Sequence, residues 1–181
     1  MRVSNNIVIL SGSPRKGGNT DTLAAAFKEG AESAGKSVTL FRVADMKIGG
    51  CQGCEVCFKQ NGVCVQKDDM PQILNVLRKA DALVLASPVY YFNVTAQLKL
   101  AIDRIYALLR EKKTIKRAVL LMACGDDDSG VAKGAVGMYK EWLSYEEWED
   151  AGVIIATGVH KPGEIAGHKA LEQAKALGRD I

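Results

Sequence analysis

The chain has 181 residues, of which 48% are hydrophobic and 25% charged, and its formal net charge is +3. These values predict one compact domain with enough apolar residues for a core, without room for a second domain. Lys and Arg are scattered among Asp and Glu, which argues against a nucleic-acid partner. No apolar run approaches the roughly 20 residues of a membrane span, and residues 1–6 hold no signal-peptide core, so we expect a cytoplasmic protein without membrane contact.

The first predicted element is a buried strand over residues 7–10, which leads into a turn rich in glycine and hydroxyl groups and then into a helix. A helix start exposes unpaired N–H groups, so this turn is suited to an anion, and Asn19 or Thr20 is expected to cap the helix. The spacing matches neither the P-loop nor the dinucleotide fingerprint. A phosphate monoester is predicted here, with an ordinary polar loop as the alternative. The candidate phosphate ligands are Ser11, Ser13, Arg15, Asn19 and Thr20.

Strands and helices alternate along the rest of the chain. The further predicted strands are Ser37–Arg42, Asp81–Ser87, Ala118–Ala123 and Gly152–Thr157. Helical patterns cover residues 70–77, 94–109, 136–143 and 167–177. This alternation predicts an α/β, flavodoxin-like three-layer sandwich over residues 1–181, with a five-stranded parallel sheet in the order 2-1-3-4-5. In such a sheet a ligand lies outside the carboxyl ends of the strands, between the first and third strands.

The loop after the third strand places three aromatic side chains and an amide at this edge. Aromatic rings and backbone N–H groups suit a planar heteroaromatic ligand, although the rings could instead pack against a helix or a partner subunit. Together with the phosphate turn, the loop favours flavin mononucleotide (FMN). The candidate ring-binding residues of this loop are Tyr90, Tyr91, Phe92 and Asn93.

The loop after the fourth strand, residues 123–129, is expected to complete the pocket. Cys124 is predicted to be a small buried residue and not a metal ligand. The acidic run 126–128 is interpreted as a helix start capped by Asp128 or Ser129. His160 follows the end of the last predicted strand and is interpreted as a solvated loop histidine, with a position at the crevice as the alternative. No nucleophile elbow is present, so hydrolysis by a catalytic triad is not expected.

Four of the five cysteines form the pattern C-x2-C-x2-C-x6-C within an insertion over residues 44–70, in the second crossover. They are Cys51, Cys54, Cys57 and Cys64. Two overlapping two-residue gaps are typical of a [4Fe-4S] cluster, whereas a structural zinc site usually has two separated pairs. Free thiols, a Cys54–Cys57 disulfide or adventitious zinc are the alternatives.

These motifs resemble the NAD(P)H-dependent FMN reductase-like flavoproteins of flavodoxin fold, especially their iron-sulfur flavoprotein branch. The resemblance rests on residues 12–20, on the cysteine segment ending in residues 68–70, and on residues 87–91 followed by Lys99, Asp103 and Arg104. It implies that the phosphate turn holds the FMN phosphate. It also implies that the ring is lined by residues of the two loops described above: Pro88, Val89, Tyr90, Tyr91, Phe92 and Asn93, with Cys124 and Gly125. It further implies that the four cysteines bind one cluster and that the protein is a homodimer or homotetramer.

The predicted function is that of an FMN-dependent oxidoreductase, which passes electrons from NAD(P)H through FMN to a quinone, a flavin or another small molecule. The flavin supplies the chemistry, so no catalytic side chain is predicted. Two alternatives remain at this point. One is an iron-sulfur flavoprotein that carries electrons from ferredoxin, and the other is a non-enzymatic binding module of the same fold.

Overall fold

The computed structural model describes residues 6–181, so most of the segment considered above as a signal peptide lies outside the described residues. Five strands form one sheet in which all neighbouring strands are parallel. The strands are β1 (Asn6–Ser11), β2 (Ser37–Arg42), β3 (Ala82–Pro88), β4 (Arg117–Ala123) and β5 (Glu149–Ala156). Their order, β2-β1-β3-β4-β5, confirms the predicted fold class.

Helices cover both faces of the sheet. They are α1 (Asn19–Ser33), α2 (Val56–Lys59), α3 (Met70–Leu77), α4 (Ala96–Ile105), α5 (Lys133–Glu146) and α6 (Lys169–Asp180). Alternate residues of β1 enter different cores, because successive side chains of a strand point to opposite faces. Ile7 and Ile9 pack in the core beneath α1 and α6, whereas Val8 and Leu10 pack in the core beneath α3, α4 and α5. None of the helices described is long and apolar enough to cross a bilayer.

Several element ends differ from the sequence-based expectation. The fifth strand begins at Glu149 rather than at Gly152, because polar residues at the sheet edge also pair: the Glu149 amide donates to the Lys116 carbonyl at 2.8 Å. The last helix begins after His168, whose Nδ1 accepts a hydrogen bond from the Ala170 amide and thereby caps the helix. Helix α4 ends at Ile105 and continues as a 3₁₀ turn over residues 106–108.

Gly30 in α1 and Gly178 in α6 allow these two helices to pack closely. A Cβ atom at Gly178 would lie 2.1 Å from the Phe27 carbonyl oxygen. We therefore expect Gly178→Ala to lower the free energy of unfolding by about 1–3 kcal/mol, measured by urea denaturation. In the control Gly137→Ala in α5, the new Cβ would have no described atom within 4 Å apart from its chain neighbours and the backbone of its own helix, and we expect no loss of stability. Equal stability of the two variants would contradict close packing of the helices.

Candidate cofactor site at the carboxyl edge of the sheet

Four loops at the carboxyl edge of the sheet line one cleft. The loops follow β1, β3, β4 and β5. Most of the predicted site residues line the cleft: Ser13, Arg15, Asn19, Thr20, Pro88, Val89, Tyr90, Cys124 and Gly125. The predicted residues outside its lining are Ser11, Tyr91, Phe92 and Asn93. The structure therefore brings the phosphate turn and both ring loops together, as the strand order requires.

The start of α1 lies in this cleft. The prediction that Asn19 or Thr20 caps the helix is wrong, because Gly18 occupies the cap position and forms no side-chain cap hydrogen bond. The Thr22 amide makes the first intrahelical hydrogen bond, to the Gly18 carbonyl at 3.0 Å. The backbone N–H groups of residues 19–21 precede it and have no carbonyl acceptor within the helix. Free N–H groups at the positive end of a helix dipole are suited to an anion.

The Asn19 side chain holds the loop that follows β5. Its Nδ2 donates to the Val159 carbonyl at 3.1 Å and to the Lys161 carbonyl at 2.9 Å. Its Oδ1 accepts hydrogen bonds from the amides of Gly163 at 3.1 Å and Ile165 at 3.3 Å. Both polar ends of the side chain are therefore used within the protein. A ligand at the helix start would meet the Asn19 backbone N–H rather than its side-chain amide.

The loop after β5 forms the fourth wall of the cleft through Val159 and His160. The sequence placed His160 at the crevice only as the alternative to a solvated loop histidine. The loop is fixed at two points near the phosphate turn. Arg15 Nη1 donates to the His160 carbonyl at 2.7 Å, and Asn19 binds on either side of His160. The position of this loop in the sequence could have predicted its place in the cleft, because the loops that follow parallel strands all lie at the carboxyl edge of the sheet.

Ser11 supports the phosphate turn from behind the cleft. Its buried hydroxyl donates to Asp21 Oδ1 at 3.0 Å, and the Gly17 amide donates to Asp21 Oδ2 at 2.9 Å. Arg42, at the end of β2, forms an ion pair with the same carboxylate and donates to the Ser13 carbonyl at 3.2 Å. Arg42 therefore balances the charge of Asp21. Among the described residues that line the cleft, Arg15 carries the permanent positive charge.

The loop after β3 contains a tight turn that places Tyr90 at the cleft and leaves Tyr91 and Phe92 exposed to solvent. The Tyr90 amide donates to the Asn93 carbonyl at 2.9 Å, and the Asn93 amide donates back to the Tyr90 carbonyl at 3.1 Å. Tyr91 and Phe92 have φ angles of 45° and 65°, which bulky residues rarely adopt. Their side chains are 99% and 64% exposed, so Tyr90 is the aromatic residue that lines the cleft.

Thr95 connects the ring loop to the phosphate turn. Its buried hydroxyl donates to the Gly12 carbonyl at 2.8 Å and accepts a hydrogen bond from the Leu98 amide, which caps α4. The Thr95 amide donates to Ser87 Oγ at 3.0 Å, at the end of β3. These bonds fix the distance between the two loops. The separation of the phosphate and ring regions is therefore built into the fold.

The loop after β4 contributes a neutral wall. Cys124 is buried, as predicted, and its amide donates to the Ala156 carbonyl at 2.9 Å. Burial raises the pKa of the Cys124 thiol, with a smaller contribution from the charge of Asp126, so the sulfur stays protonated at neutral pH. Asp128 Oδ1 accepts a hydrogen bond from the Gly130 amide at 2.8 Å, which confirms the predicted cap.

The four clustered cysteines lie in the chain between β2 and α3 and are not among the described residues that line this cleft. Cys51 and Cys54 are exposed, Cys57 and Cys64 are half-buried, and all four are free thiols. Across residues 6–181, no three His, Cys, Asp or Glu side chains converge closely enough to hold a metal ion. Binding of a cluster therefore requires the four sulfur atoms to move closer together than in this structure.

The chain has relatives among characterised families and solved structures. The family model for NADPH-dependent FMN reductase matches residues 5–145. An iron-sulfur flavoprotein of Archaeoglobus fulgidus is 36% identical over 176 residues, which cover 94% of this chain and 76% of the relative.

Two solved structures share the fold. The NAD(P)H:quinone oxidoreductase of Methanothermobacter marburgensis superposes with a TM-score of 0.78 at 21% identity, covering 98% of this chain and 96% of the other. An FMN-dependent NADH-azoreductase of Bacillus anthracis in complex with FMN gives a TM-score of 0.71 at 17% identity, covering 97% and 99% of the two chains. The family match and the similarity to the Archaeoglobus protein show that this chain belongs to the NADPH-dependent FMN reductase family, in its iron-sulfur flavoprotein branch, and is an FMN-dependent oxidoreductase.

Proposed function

We propose that the cleft binds FMN with its phosphate at the start of α1 and its ring system beside residues 88–90. One observation carries this proposal: donors suited to a phosphate and a wall suited to an aromatic ring line the same cleft. The hydroxyl groups of Ser13 and Thr20, the Arg15 guanidinium and the first amides of α1 are the proposed phosphate donors. The solved azoreductase of the same fold, which binds FMN, supports this assignment.

The charges around the phosphate turn suit the phosphate dianion of a bound FMN. Arg42 pairs with Asp21 and Asp45, and Lys16 also pairs with Asp45, so these four charges balance. Arg15 and the positive end of the helix dipole are then the positive charges that act on the ligand. No lysine lies among the described residues that line the cleft, which distinguishes this site from a nucleotide-hydrolysing P-loop. We infer that this moderate positive charge binds the monoester of FMN in preference to a magnesium-bound triphosphate.

Bound FMN supplies hydride acceptance from a nicotinamide and onward electron transfer to an acceptor. The protein's own residues hold and orient the cofactor. Tyr90 and His160 are exposed at the cleft, where a nicotinamide or a quinone arriving from solvent would meet the ring system. We propose NAD(P)H as the electron donor and a quinone, a flavin or another small molecule as the acceptor. As an oxidoreductase of this family, the chain does not fit the non-enzymatic alternative.

We expect Thr20→Val to weaken FMN binding by about tenfold to a hundredfold, because it removes a hydrogen bond to a charged phosphate. Thr22→Val is the matched control, since the exposed Thr22 hydroxyl donates to the Gly18 carbonyl at 3.2 Å and does not line the cleft. Titration with FMN, followed by flavin fluorescence, measures both affinities. A Thr20 variant that binds FMN as tightly as the Thr22 variant would contradict the phosphate assignment.

We further propose that Cys51, Cys54, Cys57 and Cys64 bind a [4Fe-4S] cluster and that ferredoxin is an alternative electron donor. Four thiols within one short segment supply a complete ligand set, and the curated relative is itself named an iron-sulfur flavoprotein. Anaerobic purification and reconstitution should give about four iron atoms per chain, and Cys54→Ser should lower this value. FMN-loaded protein without iron or sulfide would contradict this part of the proposal and leave the FMN site intact.

We propose that the protein acts in the cytoplasm as a homodimer or homotetramer. The exposed aromatic pair Tyr91 and Phe92, held in a rigid turn beside the cleft, provides apolar surface that a second subunit could cover. Light scattering of the wild-type protein measures the assembly, and Tyr91→Ser with Phe92→Ser should shift it towards the monomer. A wild-type monomer would contradict this proposal.

A further inference from the structure

His160 is held beside the phosphate turn by its own backbone. Its carbonyl accepts a hydrogen bond from Arg15 Nη1 at 2.7 Å, and its amide donates to Glu164 Oε2 at 2.7 Å. Asn19 Nδ2 donates to the carbonyls of the residues on either side of it, at 3.1 and 2.9 Å. Because an Asn side chain is short, the backbone of His160 lies close to the start of α1, at the phosphate end of the cleft.

The imidazole ring of His160 packs against Gly125, in the loop after β4. A Cβ atom at Gly125 would lie 2.9 Å from Nδ1, 3.0 Å from Cβ and 3.3 Å from Cγ of His160. A side chain at position 125 would therefore displace the ring, and both residues line the cleft. Because the contact is made on the Nδ1 side of the ring, Nε2 is the ring nitrogen that can meet a ligand.

The hydrogen bonds between His160 and other described residues, 6–181, are all made by its backbone. His168, the second of the two histidines, differs in this respect. Its Nδ1 accepts a hydrogen bond from the Ala170 amide at 3.1 Å and caps α6. The His160 ring is exposed, is fixed in position through its backbone and keeps its donor for a ligand. Such a ring beside a phosphate site is suited to bind a phosphate oxygen.

The charged groups around His160 come from three loops. Arg15 belongs to the turn after β1, Lys161 and Glu164 to the loop after β5, and the acidic run 126–128 to the loop after β4. Hydrogen bonds from the amides of Lys161 and His160 hold the pKa of the Glu164 carboxyl below its usual range. Carboxylates bind protons below about pH 5, and Lys and Arg release theirs above about pH 9. All of these side chains therefore keep their charge near neutral pH.

Two further titratable groups line the cleft, the Tyr90 phenol and the Cys124 thiol. Burial raises the pKa of the Cys124 thiol, and a phenol ordinarily titrates at about pH 10. Histidine, by contrast, changes charge between about pH 5 and pH 8. Among the described residues that line the cleft, His160 is therefore the one whose charge responds to pH in this range.

We infer that His160 is a ligand of the FMN phosphate, to which its protonated ring donates a hydrogen bond from Nε2. The inference rests on the proposed FMN site, and it adds a ligand from a loop that the phosphate motif does not contain. An imidazolium forms a charge-assisted hydrogen bond with a phosphate, whereas the neutral ring contributes no charge. Protonation of His160 and binding of FMN therefore favour each other, so the affinity for FMN rises as the ring becomes protonated.

The first test compares the wild type with His160→Gln, which keeps a side-chain donor and cannot be protonated. From about pH 8.5 to about pH 6.5, the FMN affinity of the wild type should rise about fivefold relative to that of the variant. Taking the ratio of the two proteins removes the effect of protonating the phosphate itself. Riboflavin, which lacks the phosphate, should show no such rise. His168→Asn is the matched control and should behave as the wild type, because Asn can still cap α6.

A second measurement uses the wild-type protein alone. With two histidines in the chain, the imidazole ¹⁵N signals of labelled protein can be followed separately by NMR, and the His160→Gln spectrum assigns them. Saturating FMN should raise the pH midpoint of the His160 signals by about one unit over flavin-free protein, which corresponds to a tenfold change in affinity. Saturating riboflavin should leave that midpoint unchanged, and the His168 signals should not respond to either flavin.

The two proposals fail in different ways. If bound FMN leaves the His160 midpoint where riboflavin leaves it, or if the affinity ratio does not change with pH, the role of His160 is overturned and the phosphate site at α1 stands. If the wild type and His160→Gln each bind FMN and riboflavin equally well at every pH, the proposed phosphate site is overturned together with this inference.

Discussion

Asn19→Ala is expected to weaken FMN binding by at least about a hundredfold and to lower the free energy of unfolding by about 3 kcal/mol. The substitution removes four hydrogen bonds that hold the loop after β5. The carbonyl of Val159 and the amide of Ile165 would then lose partners in a buried environment. The His160 wall of the cleft would also lose its attachment beside the phosphate turn. Titration with FMN and urea denaturation measure the two effects.

The control for this variant is Asn75→Ala. Asn75 is exposed, and its Oδ1 accepts one hydrogen bond, from Arg78 Nη1 at 2.9 Å. We expect a change of less than about 0.5 kcal/mol in stability and no change in FMN affinity. If Asn19→Ala bound FMN as tightly as Asn75→Ala, the loop after β5 would not contribute to the site as described.

Gly12→Ala is expected to have the second large effect. A Cβ atom at Gly12 would lie 2.5 Å from Thr95 Oγ1 and 2.6 Å from Leu98 Cβ, well inside van der Waals contact. The phosphate turn would have to move away from α4, which would break the bond from Thr95 to the Gly12 carbonyl. We expect a loss of about 3 kcal/mol in stability and at least about tenfold weaker FMN binding.

Gly50→Ala is the control for this substitution, because its Cβ would make only an ordinary contact, 3.5 Å from Leu100 Cδ2. Differential scanning calorimetry and FMN titration should show this control close to the wild type. A Gly12→Ala protein with unchanged FMN affinity would contradict the fixed spacing between the phosphate turn and the ring loop.

The sheet could be predicted from the sequence because its signals are local. The apolar runs of the central strands and the alternation with helical patterns determine the strand order through general rules of connection. The position of the cleft then follows from the direction of parallel strands. This reasoning placed Ser13, Thr20 and Tyr90 at one edge, and all three line the cleft.

The roles of individual polar side chains were harder to predict because they depend on distant partners. Asn19 has the residue type of a helix cap or a phosphate ligand, yet its side chain binds residues 159–165. The ion pair between Arg42 and Asp21 likewise joins the end of β2 to the start of α1. Residue spacing along the chain contains no information about such pairings.

Backbone geometry determines which aromatic side chains of the loop after β3 line the cleft. Tyr90, Tyr91 and Phe92 are alike in composition, and sequence alone assigned all three to the ring site. The left-handed turn at Tyr91 and Phe92 directs those two side chains outwards. A two-residue turn of this kind usually contains Asn or Gly, so the sequence carried no signal for it.

The comparison of FMN with riboflavin tests the central claim most directly. Riboflavin has the same ring system and lacks only the phosphate, so the difference in affinity isolates the contribution of the turn at the start of α1. We predict that wild-type protein binds FMN at least about a hundredfold more tightly than riboflavin, because several charge-assisted hydrogen bonds to the phosphate are lost. Equal affinity for the two flavins, or binding of neither, would contradict the assignment of this turn as the phosphate site.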